Sequence, residues 1–181
     1  MFRALRRFAV IFATLSIVTG CTTMSPQDFA STTPALSLEE YFVGKTKAYG
    51  LFHDRFGTLQ RRFTVDITGT LNNEGALVLD ERFSYADGET QQRVWTIRKA
   101  DDGLYEGRAD DVVGTARGEL AGAVLRWTYD LDLPISGRTW QVAFDDWMIL
   151  MDDGILMNKA TVSKWGLKIG EVTLVFRQVK E

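Results

Sequence analysis

Four polar side chains stand where alternation along the chain puts apolar ones, and they are the residues best placed to do chemistry. Taken every second residue, Leu77, Leu79, Glu81, Phe83 and Tyr85 share one face, so Glu81 points with its apolar neighbours. A carboxylate on such a face needs a partner. A three-residue loop Ala86-Asp87-Gly88, with Gly88 left-handed, pairs Tyr85 with Glu89, and so sets Glu81 opposite Arg93 and Leu79 opposite Trp95. This pair has two readings: an arginine that receives the carboxylate or phosphate head of a ligand, or an internal ion pair plugging one end of the fold. Asp146 is the one acid on the face of Trp140, Val142, Phe144 and Met148, and Asn158 lies on the face of Leu156, Ala160 and Val162. The turn Asp152-Asp153-Gly154 brings the two together, either to hydrogen-bond a ligand or a water, or as a buried network that fixes register. Strict alternation puts Asp145 and Trp147 on the opposite face, but which of Asp145 and Asp146 faces inward stays open.

Other chemistry is excluded by composition. The 181 residues hold one His and one Cys, which removes His-rich metal centres, multi-thiolate sites and any internal disulfide. His53, beside Asp54 near a strand end, reads as a surface residue, and Ser84 and Ser136 complete no nucleophilic motif. The Asp-Asp-Gly turns lack the ligand spacing of a calcium loop. No cofactor and no metal are expected. A net charge of −3 offers no footprint for nucleic acid, while 45% hydrophobic and 25% charged residues suit one globular domain.

The elements that must position these residues are strands. Turn signals recur about every 8–14 residues from Phe42 onward, and ten strands are expected: 44–54, 58–70, 76–85, 89–99, 104–109, 113–120, 123–133, 139–150, 155–163 and 167–179. Leu125, Trp127, Tyr129, Leu131 and Leu133 alternate with Arg126, Thr128, Asp130 and Asp132, giving one wet and one apolar face. Ten consecutive antiparallel strands joined by short turns form a meander, and closing it removes two bare edges. The expected fold is therefore all-β, an antiparallel up-and-down barrel spanning 38–181, with Leu38–Tyr41 as a helical turn before the first strand. A membrane-spanning barrel shares the alternation, but strands with Lys and Arg on the outer face speak against it.

The first 20 residues read as a secretory leader: Arg3, Arg6 and Arg7 precede an apolar run from Phe8 to Val18 that is too short to span a bilayer. Val18-Thr19-Gly20-Cys21 resembles a bacterial lipobox, which implies that Cys21 is acylated and becomes the mature N-terminus; the alternatives are an ordinary signal peptide or a short membrane anchor. Thr22 after the cysteine, in place of Asp, implies the outer membrane, facing the periplasm. Loss of the three Arg takes the formal charge from −3 to −6, which suits a body held by lipid rather than adsorbed on anionic headgroups. Residues 21–37, with Pro26, Pro34 and a Ser-Thr-Thr cluster, read as a flexible tether.

Along the mature chain, Phe42-Val43-Gly44, Ala48, Gly50, Glu81, Phe83, Tyr85, Asp87-Gly88, Arg93, Trp95, Tyr105, Gly107, Trp127-Thr128-Tyr129, Asp145-Asp146-Trp147-Met148, Asn158 and Gly166 resemble an uncharacterised bacterial lipoprotein family, the domain of unknown function number 3833. The resemblance implies a lipocalin-like barrel, transfers no activity, and through an association with fatty-acid modification tilts the ligand towards lipids. A ten-stranded barrel encloses more room than side chains need, so residual volume lined by Leu79, Glu81, Phe83, Arg93, Trp95, Trp127, Tyr129, Phe144, Asp146 and Asn158 is the expected site for a fatty acid or other hydrophobic ligand. Two other classes stay open: a structural module with a filled barrel, and a cofactor-free enzyme using Glu81 or Asp146 as general base.

Overall fold

Period-two alternation broken by glycine turns yields ten strands, which the computed structural model, describing residues 23–135 and 137–180, closes into an up-and-down barrel. They are β1 (Gly44–Asp54), β2 (Leu59–Leu71), β3 (Leu77–Tyr85), β4 (Thr90–Lys99), β5 (Tyr105–Arg108), β6 (Val112–Ala121), β7 (Val124–Ile135), β8 (Arg138–Leu150), β9 (Leu156–Lys164) and β10 (Leu167–Gln178). No boundary departs by more than two residues from the sequence expectation. Each strand pairs with its neighbour in sequence, and β1 closes on β10 from Thr46 opposite Gln178 to Asp54 opposite Gly170. The fold is the lipocalin-like barrel expected.

One end is closed by the short helix α1 (Leu38–Phe42), whose Ser37 cap accepts the Glu40 N–H. Leu38 and Phe42 turn into the barrel, and Phe42 meets Phe176 edge-on at 5.8 Å. The buried Tyr41 hydroxyl lies 3.0 Å from the Phe176 carbonyl and accepts the Leu156 N–H at 3.2 Å, locking the helix to β9 and β10. Strand β2 passes beneath the helix at Gly69, where a Cβ would collide with the Phe42 carbonyl.

The expected flexible tether is corrected from Ser25 onward. Pro26–Phe29 form a 3-10 turn with Ser25 as cap, Pro26 and Leu36 are buried, and the Leu36 N–H donates to Gly122 O at 2.8 Å. The Thr32 hydroxyl also accepts the Ala123 N–H at 2.9 Å. Two apolar anchors and two hydrogen bonds seat a segment whose composition reads as linker. The leader, Cys21 and its lipobox lie outside the described residues.

The outer faces carry Lys47–Asp66, Arg98–Glu106 and Lys159–Glu171 ion pairs. Lys and Arg on a lipid-facing surface cost about 2–4 kcal/mol each at a bilayer midplane, so these charged pairs suit contact with water.

Candidate functional site

Every second residue of each strand points inward, but ten strands make a ring too wide for those side chains to meet across it. The result is a cavity of about 700 Å³ running from Leu38 and Phe42 of α1 to the opposite end, where Arg61, Glu89, Thr90 and Pro134 line its mouth. All ten residues expected to face a ligand line it. Trp140, in the same alternating phase, does not: it sits at the rim, 38% exposed, with the Lys164 ammonium 3.7 Å above its ring.

One wall is aromatic. Trp95 meets Trp127 and Tyr129 edge-on at 5.8 and 5.4 Å, and Tyr129 stacks on Phe144 at 5.0 Å. The Trp127 indole lies flat against the neighbouring strands because Gly107 and Gly118 have no side chain; a Cβ on either would overlap the ring. Val65, Ile67, Leu79, Val142 and Val162 complete an apolar lining.

Within this lining sits a polar cluster. Register places Glu81 opposite Arg93. The guanidinium nevertheless engages Asp111: Arg93 Nε lies 3.0 Å from both Asp111 oxygens and one terminal nitrogen 2.7 Å from Oδ2. Asp111 belongs to the loop between β5 and β6, outside any alternating segment, which is why strand reasoning passed over it. The signal available was the shortness of β5, which ends at Arg108 and leaves Asp110-Asp111 free to fold over the interior. Burial pushes the Glu81 carboxyl up to about 7 against the pull of Arg93, with the Trp95 indole also favouring the charged form. What surface it keeps faces the cavity rather than bulk water.

Asp146 and Asn158 are the second polar pair, 5% and 2% exposed. Asn158 Nδ2 donates to Asp146 Oδ2 at 3.2 Å, while Oδ1 of each residue is buried without a hydrogen-bond partner. Burial lifts the Asp146 carboxyl to about 7, and the Asn158 hydrogen bond opposes the rise. Asp145 points outward and grips Arg126 at 2.8 and 2.9 Å, so Asp146 is the inward acid. Burial also raises the Tyr129 hydroxyl well above its ordinary value. Among the described residues no group of three or more His, Cys, Asp or Glu is placed to hold a metal ion.

The model for the proteins of unknown function DUF3833 matches residues 15–178. The chain belongs to that family. No curated protein matches this DUF3833 member. Solved structures that resemble it in fold include a lyase and a protein of unknown function. The S-type phycobiliprotein lyase CPES from Guillardia theta is 11% identical with a TM-score of 0.57, covering 81% of this chain and 93% of that one. A protein of unknown function from the DUF3598 family of Nostoc punctiforme is 13% identical with a TM-score of 0.56, again over 81% of this chain. The DUF3833 chain spans 50% of the length of the Nostoc protein.

The two raised carboxyls make stability depend on pH. Their folded values, about 7, exceed the ordinary 3.8 and 4.5, so the native state binds more protons than the unfolded one across that window. Stability therefore falls as pH rises through it. Chemical denaturation at pH 5 and pH 8 should show a loss on the order of 1–3 kcal/mol at the higher pH, flattened in Glu81→Gln and Asp146→Asn. Stability equal or greater at pH 8 would contradict the burial of these acids.

Proposed function

We propose that this protein binds or carries a hydrophobic molecule, such as an acyl chain, inside its barrel, and does so as an envelope lipoprotein tethered through Cys21 to the outer membrane and facing the periplasm. The observation that carries the reading is the cavity itself: about 700 Å³, closed at one end by α1 and walled by Leu, Val, Phe and Trp side chains. That volume falls in the range of small-molecule sites, which combine an apolar wall with a few placed polar groups. The likeness to a phycobiliprotein lyase supports ligand binding at the level of the fold. Exposed Phe56, Trp165 and Leu167, at 78%, 90% and 68%, sit on the hairpins around the mouth and suit the passage of an apolar molecule.

The tether rests on the leader and lipobox, and the docked Ser25–Leu36 segment adds a constraint. It packs on the β6–β7 turn at the α1 end, so a lipid on Cys21 would hold the closed end towards the membrane and leave the mouth facing away. A second reading is favoured by Glu81 and Asp146, whose values near 7 suit a general base. Chemical conversion of a bound molecule, followed by mass spectrometry, separates catalysis from carriage.

Titration of the purified protein with the neutral fluorescent probe N-phenylnaphthylamine should saturate at one site with a micromolar-order Kd, about −8 kcal/mol. Ala160→Phe, which pushes a ring into the cavity, should weaken binding at least about 10-fold, while Asp66→Ala on the outer face should not change it. Non-saturable binding, or binding indifferent to Ala160→Phe, would refute the reading. Cys21→Ser should move the protein from membranes to the soluble fraction; retention with the membranes would overturn the tether.

A further inference from the structure

Among the described residues, the two cations that line the cavity are both occupied by acids of the protein itself. Arg61 at the mouth is held by Asp87 and Glu89 at 2.8 and 2.7 Å and lies over the Tyr85 ring. Deeper inside, Arg93 is held by Asp111 through contacts of 2.7–3.0 Å. Around Arg93 stand Asp111, Glu81 and Asp146, with Tyr129 among them and Asp145 on the outer side of β8. One guanidinium thus stands among three carboxyls, of which Glu81 and Asp146 line the cavity. A ligand carboxylate entering this cluster would add a fourth acid to a single cation that is already balanced, and like charges at close range disfavour ionisation of one another.

Two oxygens of the cluster lack a donor. Buried polar atoms are nearly always paired, and leaving one unpaired costs about 1–3 kcal/mol. Asp146 Oδ1 and Asn158 Oδ1 are both buried, both without a partner, and both belong to residues that line the cavity. Among the described residues no backbone or side-chain N–H or O–H is hydrogen-bonded to either oxygen, and an occupant of the cavity that carries a donor can supply it. From this juxtaposition we infer that the cavity takes an amphiphile whose head donates hydrogen bonds, a hydroxyl or an ammonium, to Asp146 Oδ1 and Asn158 Oδ1, and that it discriminates against a free carboxylate.

This rests on the reading of the cavity as a site for a hydrophobic molecule and adds the chemistry of the head to it. It also changes the part played by Arg93. The guanidinium is not the receptor for an anionic head; it holds the Asp111 loop over the interior and moderates the charge of Glu81 and Asp146. The ammonium arm carries a pH signature, because both acids ionise near pH 7 and attract a cation more strongly above it. A hydroxyl head shows no such change.

The test is displacement of N-phenylnaphthylamine by dodecanol, dodecylamine and laurate, three heads on one chain length, each below its micelle concentration and at pH 8. At least one of dodecanol and dodecylamine should displace the probe at a concentration 10-fold or more below that of laurate. A dodecylamine advantage over dodecanol that shrinks at pH 5.5 identifies the ammonium, and parity at both pH values identifies the hydroxyl. Asp146→Ala should reduce the preference over laurate to less than 3-fold, and Asn158→Leu, of similar volume, provides the same readout if the first variant does not fold. Laurate competing as well as the two donors, or a preference unchanged in both variants, overturns the assignment. Probe binding that none of the three displaces also overturns it while leaving the cavity reading intact, whereas absence of probe binding removes both.

Discussion

A sheet of ten antiparallel strands that pairs its first strand with its last has no free edge, and that closure sets the diameter of everything inside it. Eight strands already leave room for side chains or a single small ligand, so a ten-stranded ring filled only from its walls keeps empty space at its axis. The large side chains of Trp95, Trp127, Tyr129 and Phe144 thicken one wall instead of meeting a counterpart across the barrel. The helix α1 exists in this context as a stopper: five residues anchored by one tyrosine hydroxyl close the end that the strands alone would leave open.

Within a low-dielectric interior of this kind, each polar group has to be answered locally. Arg93 is answered by an acid brought in from a loop, and Glu81 by the guanidinium as a longer-range counter-charge. Asp146 and Asn158 answer each other with one hydrogen bond and leave two oxygens bare. A network that existed only to fix register would gain by pairing those oxygens too, since half-satisfied buried networks are worse than apolar packing. The incompleteness is what ties the polar cluster to the contents of the cavity. Placement level with Trp127 and towards the α1 end would let an apolar tail extend towards the mouth while the head is held inside.

Most of the strand framework was legible because each element carries its own signal. Alternation such as Leu125-Trp127-Tyr129 against Arg126-Thr128-Asp130 assigns both strand and facing, and Asp87-Gly88 and Asp153-Gly154 mark turns whose geometry demands a left-handed glycine. The opposition of Glu81 and Arg93 followed from loop length alone. What was not legible depends on contacts between segments that no local pattern encodes. Asp111 reaches Arg93 from a loop, so alternation cannot assign it a face. Pro26 and Leu36 bury themselves on the β6–β7 turn in a stretch whose composition reads as linker. Trp140 has the phase of an inward residue, yet it stands at the rim beyond the last paired residue of β9 and is exposed there. Empty volume, finally, is a property of the closed ring and of side-chain directions together, and no single strand displays it.

The claim on which the account stands is that the interior is an open apolar container and not a filled core. A crystal structure of the protein determined under xenon pressure addresses it directly, because xenon enters dry apolar cavities and scatters strongly enough to be placed. The account predicts xenon between the aromatic wall and the Val65, Ile67 and Val162 side, with Arg93 still on Asp111. An interior filled by its own side chains, with no xenon inside the barrel, would contradict it.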